Sequence, residues 1–237
     1  MHGSRPDLFQ LRQLILAAVI ITGAIAILAG IALCSASIGF SQSAAMAIAI
    51  AKMELGSPPA GFQFARTGQG DLGRWIVVSD ETSFAGRAIE QSSTDRTDYR
   101  FPLAIIDSGA AKNVDVSLKF KPVAGHVDQA GGIAVHVLDG DNYYVVRANA
   151  LEDNVRFYRV VKGRRQEIDG VNTKVTSGEW HSLGLVAQGD HFTIKFDGKM
   201  LFTTSDKTFT AAGKVALWTK ADSVTRFDQI AINVIPE

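Results

Sequence analysis

The sequence predicts an all-β fold: two antiparallel sheets stacked as a sandwich, preceded by one apolar N-terminal helix. Three observations predict it. Hydrophobic residues alternate with period two through most of the chain after Gly56, and turn signals recur between the alternating runs. No segment beyond Gly56 carries a 3.6-residue repeat. Many short strands at roughly 8–12-residue spacing make a sandwich or barrel.

The helix comes first. Between Arg12 and Lys52 lie 39 residues without a charge, including LILAAVIITGAIAILAGIAL from Leu14 to Leu33. About 20 apolar residues suffice to cross a bilayer as a helix. Arg5 and Arg12 precede the run, which keeps that flank cytoplasmic and sends the rest outward. Residues 1–47 therefore read as a signal peptide or an uncleaved membrane anchor. Ser41 and Ser43 suit positions −3 and −1 of a cleavage site, whereas the apolar run exceeds the usual ~7–15 residues of a signal core. Either way the protein is exported, and it meets a membrane only through this segment. Cys34 is the single cysteine, so no intrachain disulfide forms, and Leu33 before it is too bulky for a lipoprotein signal.

GSPPAG, Gly56 to Gly61, is the turn-rich boundary. Residues 48–58 are expected to be a linker and residues 59–237 one sandwich domain, large enough to bury a substantial core.

The strands then follow in order. VDVSLKFKPV puts Val114, Val116, Leu118 and Phe120 on one face. GGIAVHVL groups Ile133, Val135 and Val137; HFTIKFDG groups Phe192, Ile194 and Phe196. KVALWTK groups Val215, Leu217 and Thr219, and DQIAINVI groups Ile230, Ile232 and Val234. One apolar face per strand is the pattern of an antiparallel sheet against a core. DGDN at 139, KG at 162, QGD at 188, DGK at 197 and AAG at 211 mark the turns.

From Ser57 onward 21 Lys and Arg stand against 22 Asp and Glu. Such balance excludes the basic stripe that nucleic acid requires.

GEWHSLGLVAQGDHFTIKFDGKMLFTTSD, Gly178 to Asp206, resembles the paired strands of laminin-G-like domains. With GGIAVHVLDGDNYYVVRANA and GKVALWTKADSVTRFDQI it makes the chain similar to the concanavalin A-like lectin/glucanase superfamily. Within that superfamily the chain is closest to the bacterial exported family labelled as 3-keto-disaccharide hydrolase domains. The resemblance implies a jelly roll with one concave sheet, and a carbohydrate as partner across that face or at its rim. Fold and function are separate matters, since this superfamily hosts lectins, hydrolases and adhesion modules alike.

Candidate binding residues come from strand alternation. In Tyr143–Asn149, the residues Tyr144, Val146 and Ala148 suit the core, which turns Tyr143, Arg147 and Asn149 outward. Arg156 and Tyr158 leave the core face of the next strand, and His136, Trp218 and Lys220 leave theirs. Arg and Asn satisfy sugar hydroxyls by directed hydrogen bonds, and aromatic rings stack on a pyranose. The plain alternative is a solvated sheet face with cross-strand pairs.

Two further function classes remain: a hydrolase of 3-keto-glycosides, using His136, Asp141 or Glu152 as the base of an elimination, and a protein-interaction module of the envelope. Paired glycosidase carboxylates are not carried over. Glu167 and Asp169 occupy two positions of the laminarinase-type pattern, but Val171 stands where the third acid belongs. No cofactor is required. The acidic runs Asp139–Asn142 and Glu152–Asn154 read as turns, with a structural calcium ion as the alternative. The histidines lack zinc spacing, no serine elbow exists, and His181 reads as structural.

Overall fold

The computed structural model describes residues 45–236. The apolar leader, its cleavage site and Cys34 lie outside them. Among the described residues there is no α-helix, and no helix is long and apolar enough to cross a membrane.

Among the described residues fifteen strands follow in chain order. They are β1 (Met46–Ala47), β2 (Phe62–Gly68), β3 (Trp75–Ser79), β4 (Arg87–Gln91) and β5 (Arg100–Ile106). Next come β6 (Val114–Ala124), β7 (Ala130–Asp139), β8 (Asn142–Asn149), β9 (Asn154–Val161) and β10 (Arg164–Asn172). The last are β11 (His181–Gln188), β12 (His191–Phe196), β13 (Lys199–Ser205), β14 (Lys214–Trp218) and β15 (Val224–Val234). One sheet runs β13-β12-β11-β6-β15-β4-β3, with β1 added beside β15; the other runs β10-β9-β8-β7-β14-β5-β2. All pairings are antiparallel, as a jelly-roll sandwich requires.

The alternating runs meet between the sheets. Val116, Leu118 and Phe120 from β6 pack with Phe192 and Ile194 from β12, and with Tyr144, Val146 and Phe157 from the facing sheet. Hairpins join at the predicted turns. Lys162–Gly163 and Asp197–Gly198 both hold two successive residues at positive φ, the geometry that matches the twist of the flanking strands.

Two expectations fail. Ile50, inside the stretch expected to be a linker, is buried in the core, and Met46–Ala47 pair with β15. The apolar side chains just before GSPPAG hold this segment on the sandwich. In β7, Val137 does not join Ile133 and Val135, because the register with both neighbouring strands shifts around His136. His136 itself stands at φ 49°. An extra residue in a strand reverses the alternation beyond it.

The seven-stranded sheet carries a second apolar cluster on its outer face: Phe101, Leu103, Ala134, Tyr143, Val145, Tyr158, Val160, Ala216 and Trp218. This face is enclosed because the sheet coils until two of its corners meet. Thr67 on edge strand β2 donates to the Gly140 carbonyl in the β7–β8 turn. Tyr99, just before β5, donates to the Gly163 carbonyl at the β9–β10 turn and accepts the Arg165 N–H.

Candidate functional site

Strand alternation places the candidate residues on the sides expected of them, with one exception. Tyr144, Val146 and Ala148 face the inter-sheet core, whereas Tyr143 and Val145 belong to the outer cluster. The reading of that outer face as an open surface needs correction, because the coiled sheet shuts most of it away.

Trp218 is fully buried. Its ring stacks on Phe101 with centroids 5.3 Å apart, and its Nε1–H donates to the Tyr143 hydroxyl at 3.1 Å. Thr67 completes that bond chain at 2.7 Å from the same hydroxyl. Burial pushes the Tyr143 phenol far up, so it remains a neutral hydroxyl. Arg165 lies over this aromatic patch, its guanidinium 4.5 Å from the Tyr158 ring, 4.7 Å from Phe101 and 6.0 Å from Trp218. A cation over an electron-rich face is attracted to it. Tyr143 and Trp218 therefore form a second interior and offer no stacking surface. Arg165 went unnoticed in the sequence. Carrying alternation across the Lys162–Gly163 turn would have found it, since Arg165 pairs with Val160, whose side chain is in the outer cluster.

Beyond the aromatic patch the outer face turns polar. Arg147, only 4% exposed, donates to Asn154 Oδ1, to Glu152 Oε2 at 2.6 Å and to the Tyr158 hydroxyl at 3.1 Å. A forked guanidinium suits this because its donors are fixed in one plane. Asn154 also donates to Glu152, at 3.1 Å. Burial alone would raise the Glu152 carboxyl, but Arg147 and Asn154 outweigh it and hold it below its ordinary range. Gly132 opposite leaves room: a Cβ there would sit 3.2 Å from that of Arg147.

Asn149 is fully buried and donates to Asp128, whose second oxygen pairs with Lys220 at 2.6 Å. Lys220 also meets Asp98 at 3.0 Å. Burial would lower Lys220, yet these two carboxylates raise it overall. Arg156, half-buried, donates to Asn172 at 2.7 Å and lies 3.4 Å from Glu167. The Glu152 side chain is 42% exposed and that of Asp98 75%, so water reaches the outer face at this rim. Of the sequence candidates, Arg147, Asn149, Arg156, Tyr158 and Lys220 thus meet at one polar end of the sheet.

His136 is the exception. The bulge turns it inward, where its ring contacts Tyr144 and Phe192 at centroid distances of 5.8 and 6.3 Å. It shares no surface with the rim. The acids named for an elimination are also separated. Asp141 lies in the turn before β8 and Glu152 in the turn after it, at opposite ends of an eight-residue strand. They form no common site with His136.

The acidic runs act as turns. Asp139 accepts the Asp141 N–H at 2.7 Å and Asn142 Nδ2 at 2.9 Å within its own turn. Glu152 and Asp153 lie in the turn before β9, and Asp153 accepts the N–H of the distant Val175 at 3.0 Å, tying that turn to the segment after β10. Among the described residues, no three His, Cys, Asp or Glu side chains converge as a metal site would need. His181 Nδ1 bonds Asp197 at 2.7 Å and its Nε2 lies 3.0 Å from the Thr176 N–H, fastening strand ends.

No family model matches this sequence, and no curated protein matches it. Solved structures do share its fold. A carbohydrate-binding module, CBM66 from Bacillus subtilis, aligns at TM-score 0.55 and 20% identity over 72% of this chain and 94% of that one. Domain 4 of AbnA, an extracellular GH43 arabinanase from Geobacillus stearothermophilus solved with arabinotriose, aligns at TM-score 0.52 and 14% identity, covering 81% and 91%. The Bacillus licheniformis β-glucanase aligns at 0.50 and 12%, covering 77% and 96%. At these identities the likeness shows the fold alone, a jelly-roll sandwich.

Proposed function

We propose that the domain binds a carbohydrate at the polar rim of its seven-stranded sheet, and that it does so after export. The observation carrying this reading is the Arg147–Glu152–Asn154 cluster, a buried guanidinium held in place beside a carboxylate that water reaches. A positioned carboxylate and amide pair with vicinal hydroxyls, and charge-assisted hydrogen bonds of this kind are the stronger ones. Arg156 and Lys220 flank the cluster with further donors. Supporting the reading are neighbours that include a carbohydrate-binding module and a domain solved with arabinotriose. The charge-free N-terminal run supports export.

The test is calorimetry or a glycan array with the full chain, kept in a detergent without a sugar headgroup. Glu152→Ala and Arg156→Ala are expected to weaken the captured oligosaccharide by about tenfold or more, equivalent to ~1.4 kcal/mol. Arg156 is partly exposed, so its variant should barely move thermal unfolding, whereas Glu152→Ala also removes the carboxylate that compensates the buried Arg147 and should lower stability as well. No oligosaccharide binding at millimolar concentration would overturn the reading.

A further inference from the structure

Phe84 is the most exposed large hydrophobic residue among those described, at 84%. The loop that carries it, between β3 and β4, is nonetheless fastened. Asp80 accepts the Thr82 N–H at 2.9 Å, and the Ser83 hydroxyl lies 2.8 Å from the Asp80 carbonyl oxygen and 3.0 Å from that of Arg87. The Phe84 N–H donates to Asp228 on β15 at 2.8 Å, and Arg87 donates to the Met53 carbonyl. These bonds hold the loop in one shape while the ring stands in water. A group ordered in advance loses little freedom when it docks, so a fixed, exposed ring is suited to insertion.

Phe84 borders an apolar groove of about 390 Å³, lined also by Ala47, Ala49, Ala51, Gln229 and Ala231. Asp228 is the one charged residue in its walls, and it is 4% exposed, with its oxygens on the Phe84 and Gln229 N–H groups. Apolar patches of this kind mark contacts with a membrane or with another protein. Where the chain enters the fold favours the membrane. β1 and the three alanines follow directly on residues 1–44, so the groove lies at the point where the chain enters the sandwich. Leu14–Leu33 is long enough to cross a bilayer, and the eleven residues from 34 to 44 carry no charge. Fully extended, those residues reach about 40 Å at most. With that run in a bilayer, this face is kept beside the lipid.

We infer that the face around Phe84 docks on the surface of a lipid bilayer, with the Phe84 ring among the acyl chains just below the headgroups. An apolar ring and a groove without exposed charge gain from leaving water there, and lipid charge contributes nothing. This contact is additional to the N-terminal run, and it sets orientation. A tether alone lets the domain turn, whereas a second point of contact fixes the face that meets the membrane. The polar rim is on the other sheet, so the contact does not rest on the carbohydrate reading and leaves that rim uncovered.

The experiment uses the full chain in vesicles of phosphatidylcholine, with and without phosphatidylglycerol. Cys34→Ser removes the single cysteine, and a fluorescent label is then placed on Gln229→Cys, in the groove, or on Arg164→Cys, an exposed site on the outer strand of the other sheet. Lipids carrying a nitroxide in the acyl chain are expected to quench the label at 229 and not the label at 164, to the same extent in both lipid mixtures. Phe84→Ser, at an exposed position that should leave thermal unfolding unchanged, is expected to abolish the quenching at 229. Equal quenching at both positions, quenching that needs phosphatidylglycerol, or a Phe84→Ser chain quenched like its parent would overturn the inference. So would a label at 229 that is shielded in proportion to protein concentration and ignores the nitroxide lipids, the result expected if a second copy covers the face.

Discussion

The Thr67 hydroxyl sits 2.5 Å from the Gly140 carbonyl and 2.7 Å from the Tyr143 hydroxyl, tying an edge strand to a turn of the same sheet. Thr67 is fully buried. Replacing it with Val keeps the shape and removes both bonds, leaving a buried carbonyl and phenol short of a partner. The expected loss is about 1–3 kcal/mol in urea unfolding. Thr203→Val, at an exposed position of edge strand β13, is the control and should be nearly neutral.

Gly213 faces the His136 backbone, where a Cβ would come within 2.4–2.7 Å of three backbone atoms. Backbone yields less readily than a side-chain tip. Gly213→Ala should therefore destabilise by about 1–3 kcal/mol and broaden the His136 ring signals. Gly184→Ala, where the nearest atom is the Lys195 Cβ at 3.3 Å, should be far milder.

Asp80 sets a pH dependence. Burial would raise its carboxyl, but Lys121, Thr82 and Arg226 outweigh burial and hold it well below the ordinary range. A folded-state pKa below the unfolded one means that the unfolded chain takes the proton first as pH falls. The stabilisation is present above about pH 4 and fades below it. Unfolding free energy measured from neutral to acid pH should fall more shallowly for Asp80→Asn than for the parent chain, although the variant is less stable at pH 7. Parallel acid slopes would refute this assignment.

Trp218 separates an interior face from a binding face. In a Trp75→Phe, Trp180→Phe background its emission should be blue-shifted, resist acrylamide quenching and ignore added oligosaccharide. A sugar-dependent change would show that the aromatic patch is reached by ligand after all.

Much of the fold was legible because each strand states its own side. Val116, Leu118 and Phe120 announce a core face locally, and Tyr144 and Val146 do so in β8. The family likeness added the jelly roll. Two things could not be read. The bulge at His136 leaves no mark in GGIAVHVL, and the residue whose missing side chain makes room for it, Gly213, is distant in the sequence. The coil that brings Thr67 to Gly140 arises from twist accumulated over seven strands, and a single strand does not encode it. Sequence therefore gave the correct side for Tyr143, Arg147 and Trp218 but not their burial. The rim was only half visible for the same reason: Asp128 and Asp98 come from loops that reach Lys220 through tertiary packing.

With the coiled sheet closed over itself, β8 has no permissive side. Val145 and Val146 point in opposite directions, yet each is sealed from solvent. A polar replacement at either would strand a hydrophilic group in apolar surroundings, so this middle strand tolerates less variation than a jelly roll with one wet face would allow.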